Sequence, residues 1–229
     1  MRTLLALFCF CSLAQAGEII HEDFNGPGLP KGWETGGRPN SWTVVDGTLQ
    51  GVCDKTDAHG PAVFAPVAGM HDGTFSYKVK LDEAGNCLTL LDGESAFGGS
   101  AHLLRVSLNN GMLVLAQDRG TPQSHIEQGK AVAELRKAGQ PIPVPTKEQL
   151  ADPKFYRTER LAMKKIAVKP GEWMKIDVAV KGQDVTVTVN DKDKLQGKST
   201  VLDVAKSRLV FLVGQGKKVW VDEVRAAGM

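Results

Sequence analysis

Short runs in which apolar and polar residues alternate recur along most of the chain. In residues 73–81, GTFSYKVKL, the apolar side chains fall at every second position from Phe75 to Leu81. The same period of two recurs in WMKIDVAV at residues 173–180 and in DVTVTVN at residues 184–190. A period of two places one face of a strand in the core and the other in water. These segments are therefore predicted to be half-buried β-strands.

Turn-forming residues separate these runs at short intervals. Residues 41–51 read SWTVVDGTLQG, where Asp46-Gly47 supplies two residues that tolerate positive φ between β-branched or apolar neighbours. The run LVFLV at residues 209–213 is apolar on both faces, as in an interior strand. Many short strands with regular turns and no βαβ alternation predict an all-β fold, a two-sheet antiparallel β-sandwich.

Residues 119–160 break this pattern and predict a helical insertion between two strands. SHIE at residues 124–127 is a capping box that precedes good helix formers up to Gly139, and TKEQ at residues 146–149 is a second box. A connection of this length is far beyond the usual one, so we expect it to fold back over one sheet face as a lid. The apolar residues that its helix is expected to bury are Ile126, Val132 and Leu135.

The N-terminal segment MRTLLALFCFCSLAQA has the pattern of a signal peptide. Arg2 precedes an apolar stretch that is too short to span a bilayer, and Ala14-Gln15-Ala16 fits the cleavage site of signal peptidase. We therefore expect residues 1–16 to be removed and residues 17–229 to form a single secreted or periplasmic domain without a membrane anchor. N-terminal sequencing of the exported protein tests this, because the mature chain is expected to begin at Gly17.

Composition and charge narrow the classes of partner. Hydrophobic residues make up 42% of the chain, enough for a real core, and the formal net charge of +2 gives no support for a nucleic-acid partner. Outside the leader, Cys53 and Cys87 remain, which permits one disulfide or two separate buried thiols. We expect a bond only if their strands are neighbours, since Cα atoms more than about 7 Å apart cannot be bridged without distortion.

The sequence predicts neither a metal site nor a cofactor. The five histidines show no H-x-H or H-x-x-x-H spacing, which metal-binding pairs favour. Asp191 and Asp193 at one hairpin tip offer too few oxygens for calcium. Of the four tryptophans, Trp42 and Trp173 begin predicted strands, so we expect both to pack in the core; Trp33 and Trp220 remain candidates for stacking on sugars.

Four separated segments carry the motifs of a known family. They read EDFNGPGLPKGWE at residues 22–34, WTVVDGTLQG at 42–51, PGEWMKIDVAVKGQDVTVTVN at 170–190 and VWVDEVRAAGM at 219–229. These segments resemble the secreted bacterial domains named 3-keto-disaccharide hydrolases, which are concanavalin A-like. The resemblance implies a jelly-roll β-sandwich of two curved antiparallel sheets that binds a carbohydrate on its concave face.

Two function classes stay open at this point. Catalytic members of that family typically carry a Glu-x-Gln-x-x-Asp strand, whereas the comparable strands here read HLLRVSLN and MLVLAQDR. The first class is a secreted carbohydrate-binding sandwich that cleaves a glycoside or 3-keto-glycoside. The second is a non-enzymatic structural or adhesive domain. The sequence indicates no oligomeric state.

Residues in one polar phase of neighbouring strands are the candidates for sugar binding. Arg105 lies mid-strand, opposite in phase to Leu104 and Val106, and Thr89 and Ser107 are expected to share its face. On the concave face they would be fixed donors for sugar hydroxyls, and on a convex face they would be ordinary solvated side chains. Residues 117–119 end the next strand, where the insertion begins. The predicted substrate-binding residues are Thr89, His102, Arg105, Ser107, Gln117 and Arg119.

Asp118 and His125 are the predicted catalytic residues. Glycoside cleavage commonly needs two carboxylates flanking the bond, and Asp92, Glu94 and Glu127 are the other candidates. Asp92-Gly93 is interpreted as a turn and Glu127 as part of the capping box, whereas His125 near the helix start is placed to supply a proton. We expect Asp118→Asn to abolish turnover and keep binding, and Arg105→Ala to abolish binding with folding nearly unchanged.

Overall fold

The structure is a computed structural model that describes residues 17–36, 40–54, 60–82, 85–109, 111–214 and 216–229. The predicted signal peptide lies outside these residues. In chain order the elements are β1 (Gly17–Glu22), β2 (Glu34–Gly36), β3 (Trp42–Val45), β4 (Thr48–Cys53), β5 (Ala62–Met70), β6 (Gly73–Leu81), β7 (Asn86–Glu94), β8 (Ser100–Asn109), β9 (Met112–Arg119), α1 (Pro122–Lys137), α2 (Lys147–Ala151), β10 (Arg157–Lys165), β11 (Trp173–Lys181), β12 (Asp184–Val189), β13 (Asp193–Lys198), β14 (Lys206–Val213) and β15 (Lys217–Gly228).

The strands form two antiparallel sheets packed face to face, which confirms the predicted sandwich. Sheet A has the order β13-β12-β11-β6-β15-β4-β3, with β1 also paired to β15. Sheet B has the order β10-β9-β8-β7-β14-β5-β2. The described helices include none with the length and hydrophobicity to cross a membrane.

The alternation read from the sequence sets which side chains fill the space between the sheets. Phe75 pairs with Val178 and Val178 with Val187, so one inward row crosses three strands of sheet A. In β14, between β5 and β7, Leu209 and its inward neighbours join the core, while Val210 packs against Leu90 on the other face. The prediction of an interior strand apolar on both faces is confirmed, and it gives sheet B an apolar outer surface.

The tryptophans divide between the core and the surface. Trp42 is buried and donates from Nε1 to the carbonyl of Pro61 at 3.1 Å, as expected for a core residue. Trp33 packs edge-on against Phe24, with ring centroids 5.4 Å apart. Trp173 is 37% exposed on the outer face of sheet A, so its predicted core position is wrong. The reason is phase, since Met174 occupies the inward position and its neighbour must point outward.

The two cysteines outside the predicted signal peptide are separate buried thiols in different sheets. Cys53 ends β4 in sheet A, and Cys87 lies near the start of β7 in sheet B. Of the two possibilities left open by the sequence, the structure has the separate structural thiols. Burial raises the pKa of Cys87 to about 12, so its reactive thiolate form is scarce at neutral pH.

The insertion contains both predicted helices and connects two strands that pair with each other, β9 and β10. Helix α1 is capped by Thr121, whose side chain accepts from the backbone N–H of Ser124 at 3.0 Å. The predicted capping box at residues 124–127 is therefore wrong, because Pro122 already occupies the first turn, where its missing N–H costs nothing. The second box is confirmed, since Thr146 and Gln149 exchange both of its hydrogen bonds.

Hydrogen bonds join the two ends of the insertion to each other, next to the strands β9 and β10 that it connects. The hydroxyl of Ser124 accepts from the backbone N–H of Tyr156 at 2.9 Å, and the N–H of Thr121 donates to the carbonyl of Lys154 at 3.0 Å. The expected apolar docking of the helix is wrong for Ile126, which is 52% exposed. Val132 and Leu135 are only half-buried. Polar contacts of the first helical turn, rather than an apolar helix face, hold α1 in place.

Candidate functional site

The candidate site lies on the outer face of sheet B, the face turned away from sheet A. Leu90 of β7 pairs with Arg105 of β8, which pairs with Ala116 of β9, so all three point to this face. Toward β5 the surface is apolar, and the polar side chains gather toward β9, β10 and the start of α1. The residues of the apolar floor are Ala62, Phe64, Leu88, Leu90, Val210 and Leu212.

A buried carboxylate orients a histidine at the edge of this floor. Asp92 is fully buried, and its Oδ1 lies 2.6 Å from Nδ1 of His102. Its Oδ2 accepts from the guanidinium of Arg208 at 2.9 Å. An ionised carboxylate only accepts, so Nδ1 carries the proton and Nε2 is left as the basic nitrogen. Asp92 belongs to β7, so the predicted turn at Asp92-Gly93 is wrong.

An irregularity in strand pairing brings these two residues together. The register between β7 and β8 shifts between Leu91 and Asp92, after which Asp92 pairs with His102. In the regular register before the shift, Leu91 pairs with Leu104 in the core. A β-bulge of this kind re-aims side chains and is common next to functional sites. It turns His102 to the same face as Arg105.

A second cluster surrounds Asp118 at the end of β9. Arg105 binds its carboxylate with two hydrogen bonds, of 2.6 Å from Nε and 2.5 Å from Nη2. The hydroxyls of Tyr156 and Thr158 also donate to it, at 2.9 and 2.7 Å. Tyr156 in turn accepts from Arg105 at 2.9 Å. The side chain of Asp118 is 3% exposed and accepts four hydrogen bonds, which hold Arg105, Tyr156 and Thr158 in place.

These contacts fix the charge states of the cluster. Burial disfavours the charge of Arg105, but the hydrogen bonds and charge of Asp118 outweigh it and raise the pKa of the guanidinium above its usual value. Burial also raises the pKa of Tyr156, and the positive charge of Arg105 only partly opposes that rise. The phenol therefore stays protonated at neutral pH, as a hydrogen-bond donor.

His125 joins the two clusters from the first turn of α1. Its ring stacks on Tyr156 with centroids 4.0 Å apart and meets His102 edge-on at 5.5 Å. A cavity of ≈ 20 Å³ remains between these rings and Asp118, which is room for about one water molecule. A larger groove of ≈ 660 Å³ opens on the other side of Tyr156, between the insertion and β10.

Of the predicted site residues, His102, Arg105, Asp118 and His125 come together in these clusters. Ser107 lies on the same outer face, half-buried, two positions along β8 from Arg105. The structure places the remaining three, Thr89, Gln117 and Arg119, in the opposite phase of their strands.

Thr89 faces the core, contrary to the expected polar phase. It is 1% exposed and donates to the hydroxyl of Tyr77 at 2.7 Å. Leu88 and Leu90 take the outer positions of β7 instead. The prediction assigned polar residues to one face, but β7 runs across a sheet whose outer face is apolar at this point.

Gln117 and Arg119 flank Asp118 and therefore cannot share its face, because side chains alternate along a strand. Gln117 is buried, donates to Glu159 at 2.8 Å and accepts from the backbone N–H of Thr200 at 3.1 Å. Arg119 reaches the same Glu159 at 3.5 Å. Burial would raise the pKa of Glu159, but its bonds to Gln117 and Arg157 outweigh burial and lower it. These residues tie β9 to β10 on the inner side.

Sequence reasoning missed Asp92 in this role, together with Tyr156, Thr158 and Arg208. Arg208 carries a sequence signal, because in KSRLVFLV it shares the phase of Val210, which faces outward. Tyr156 directly precedes the strand that follows the insertion. Among the residues that the structure describes, no group of three or more His, Cys, Asp or Glu side chains is arranged to hold a metal ion.

The family model described as a 3-keto-alpha-glucoside-1,2-lyase-like domain matches residues 21–226. No curated protein matches the sequence. A solved structure titled "Sialidase" superimposes with TM-score 0.61 at 8% identity, covering 93% of this chain and 18% of that chain. The CBM2 module of Lactobacillus casei BL23 phage J-1 evolved Dit superimposes with TM-score 0.60 at 10% identity, covering 93% of this chain and 95% of that chain. The laminarinase from Rhodothermus marinus superimposes with TM-score 0.58 at 11% identity, covering 94% of this chain and 98% of that chain. At these identities the likeness shows the fold alone, a jelly-roll sandwich.

Proposed function

Because the chain belongs to the family of 3-keto-alpha-glucoside-1,2-lyase-like domains, we propose that it cleaves 3-keto-glucosides by elimination between C1 and C2. The membership also confirms the family resemblance read from the four sequence segments. The observation that carries the proposal is the Asp92–His102 pair, a histidine whose proton position is fixed by a buried carboxylate. Such a pair is suited to proton abstraction.

The reaction in the family's name requires a base that removes the proton from C2. In a 3-keto-glucoside the C3 carbonyl acidifies the hydrogen on C2. A base takes that proton, the C2–H electrons form the C1–C2 double bond, and the C1–O bond breaks with its electron pair leaving on oxygen. The leaving oxygen takes up a proton, so the products are the free alcohol and an unsaturated 3-keto sugar.

His102 is the proposed base, acting through Nε2. Asp92 accepts from Nδ1 and stabilises the imidazolium that forms when the C2 proton arrives, as the carboxylate does in other Asp–His pairs. Arg208 donates to the second oxygen of Asp92 at 2.9 Å, so the carboxylate is held from both sides. The pair is therefore ready to accept a proton without rearranging.

Arg105 is the proposed donor to the C3 oxygen, where negative charge grows as the C2 proton leaves. Tyr156, whose one O–H donates to Asp118, holds Arg105 in place by accepting from Nη2. Among the residues that the structure describes, the hydrogen bonds of Arg105 to Asp118 and Tyr156 use Nε and Nη2, so Nη1 is the nitrogen proposed to bind a ligand. His125, stacked on Tyr156, is the proposed proton donor to the leaving oxygen. In this scheme Asp118, predicted as a catalytic residue, positions Arg105 and does not exchange protons.

The surface around these groups fits a sugar. The apolar floor of Leu88, Leu90 and Val210 suits the C–H face of a pyranose ring, and the ≈ 660 Å³ groove beside Tyr156 is of the size that binds small ligands. The ≈ 20 Å³ cavity between His102 and His125 is too small for a sugar. The first turn of α1 therefore has to move when the substrate binds, as active-site lids do.

The same proposal includes export. A 3-keto-glycoside outside the cytoplasm is reached only by an exported protein, and the N-terminal pattern at residues 1–16 supports a cleaved signal peptide. A secreted or periplasmic location follows from it.

A carbohydrate-binding module without catalysis is the second candidate. The small size of the cavity next to His102 and the four hydrogen bonds accepted by Asp118 favour it, since binding a sugar does not require these groups to release a proton. Both candidates place the sugar on the outer face of sheet B, and they differ in whether a bond breaks.

Release of nitrophenol from p-nitrophenyl 3-keto-α-glucoside separates the two candidates. We expect release from the keto compound well above the enzyme-free rate and none from p-nitrophenyl α-glucoside, because only the ketone acidifies C2–H. If calorimetry shows that the keto compound binds but no nitrophenol is released, the candidate that remains is the binding module without catalysis. If the protein neither binds nor cleaves the keto compound, both candidates are wrong.

A further inference from the structure

A row of aromatic and basic side chains crosses the outer face of sheet A, on the opposite side of the sandwich from the candidate site. Trp173 of β11 pairs with Lys80 of β6, and Lys80 pairs with Trp220 of β15. Lys218 lies two positions before Trp220 and so shares its face. We call these four residues, Trp173, Lys80, Trp220 and Lys218, the Trp–Lys ladder.

The ladder holds a lysine between two indole rings. The ammonium nitrogen of Lys80 lies 4.8 Å from the ring centroid of Trp173 and 4.7 Å from that of Trp220. The ammonium of Lys218 lies 5.0 Å from the same Trp220 ring. The negative ring faces attract the ammonium groups, while the ring edges are electropositive. The ladder thus presents positive charge and aromatic surface together.

The positive charge of the ladder is not neutralised within the part of the chain that the structure describes. On the same sheet face, Lys78 pairs with Glu223 at 2.5 Å and Lys175 with Asp177 at 3.1 Å. No ion pair of the described residues involves the ammonium of Lys80 or Lys218. Two ammonium groups without an ionic partner, beside the exposed ring of Trp173 and the half-buried ring of Trp220, can form charge-assisted hydrogen bonds with an anionic ligand.

The spacing of the ladder suits an extended polymer. Trp173 and Trp220 lie two strands apart, or about 10 Å at the usual strand spacing, which is roughly the length of a disaccharide. Trp173 is 37% exposed. The ladder's neighbours on this face include the polar Gln50 and Asp222 and the exposed Val52, which pairs with Lys218. They leave no broad apolar patch of the kind that enters a lipid interface.

We propose that the Trp–Lys ladder binds an acidic polysaccharide. Carboxylate or sulfate groups of the polymer pair with Lys80 and Lys218, and its sugar rings pack against Trp173 and Trp220. Because the ladder and the outer face of sheet B lie on opposite sides of the sandwich, a polymer held at one leaves the other open. The inference is independent of the reaction proposed above.

Retardation in native gels containing polygalacturonate, dextran sulfate or neutral dextran tests the ladder. Lys80→Met keeps the stem and removes the charge, and it is expected to weaken binding to at least one acidic polymer about tenfold. Trp220→Ala is expected to do the same, and neutral dextran should not retard any variant. Lys194→Met removes an exposed lysine from the same sheet face and should leave binding unchanged.

Three results would overturn the proposal. Equal weakening by Lys80→Met and Lys194→Met would mean that only overall charge matters. Failure of the unaltered protein to bind either acidic polymer would rule out acidic polysaccharides as the ligand. Binding to phosphatidylserine vesicles without binding to the polymers would assign the ladder to a membrane surface. Thermal unfolding of each variant shows whether it is folded. If Trp220→Ala is unfolded, Lys80→Met alone tests the proposal.

Discussion

Replacing His102 by asparagine is expected to lower cleavage of a 3-keto-glucoside by about a thousandfold, since a positioned general base contributes on the order of 10²–10⁴. Asparagine keeps a polar group beside Asp92 but cannot accept the C2 proton. Affinity for the sugar should change little, because Arg105 remains in place to bind it. Steady-state kinetics should therefore show a loss in kcat with a nearly constant KM.

His71→Asn is the matched control for this variant. His71 is exposed and lies outside both clusters of the site, so its replacement is expected to leave kcat unchanged. Asp92→Asn should also lower kcat, since an amide does not stabilise the imidazolium. Full activity of His102→Asn in a folded protein would show that His102 is not the base.

Replacing Arg105 by methionine is expected to destabilise the protein by about 3 kcal/mol, near the lower end of the cost of breaking a buried ion pair. The carboxylate of Asp118 is 3% exposed and would lose two of its four hydrogen bonds. Tyr156 and Thr158 would still donate to it, which limits the loss. The change in the free energy of unfolding is measured by urea denaturation.

The double variant Arg105→Met/Asp118→Asn separates the ion pair from simple loss of packing. Removing both charges should recover much of the stability, because no buried carboxylate is left uncompensated. Arg160→Met is the surface control, since Arg160 is exposed on the neighbouring strand and its recorded contact is with Met163. A loss below about 1 kcal/mol for Arg105→Met would mean that the pair behaves as a surface salt bridge.

This expectation reverses what the sequence predicted for Arg105. Alternation in HLLRVSLN correctly places Arg105 on the face opposite Leu104 and Val106. It does not reveal that Asp118 on the next strand would be buried against it, because burial depends on the insertion that returns Tyr156 over the cluster. An outward-facing residue in the pattern thus became part of a buried network.

The strands were predictable because each local pattern agrees with the sheet in which it lies. Residues 73–81 and 173–181 pair in the register that puts every inward residue opposite another. The site was less predictable, because the Asp92–His102 contact depends on a bulge between β7 and β8. A bulge inserts a residue without a strong signature in sequence. Thr89 illustrates the same limit, since its polarity suggested water and its hydroxyl instead binds Tyr77 in the core.

The start of α1 shows how local chemistry decides between neighbouring signals. Ser124 and Glu127 have capping-box spacing, yet Thr121 caps the helix because Pro122 favours the first helical position. Ser124 is thereby free to accept from the backbone of Tyr156. The three-residue shift shapes the candidate site, since it places His125 in the first turn, where it stacks on Tyr156.

The fate of the C2 hydrogen tests the central claim most directly. A 3-keto-glucoside carrying deuterium at C2 should lose its label to water during enzymatic cleavage, and the rate should fall several-fold relative to the unlabelled compound. An enzyme-free sample corrects for spontaneous exchange. Retention of deuterium at C2 in the released sugar, with an unchanged rate, would show that the glycosidic bond breaks without removal of the C2 proton and would contradict elimination by His102.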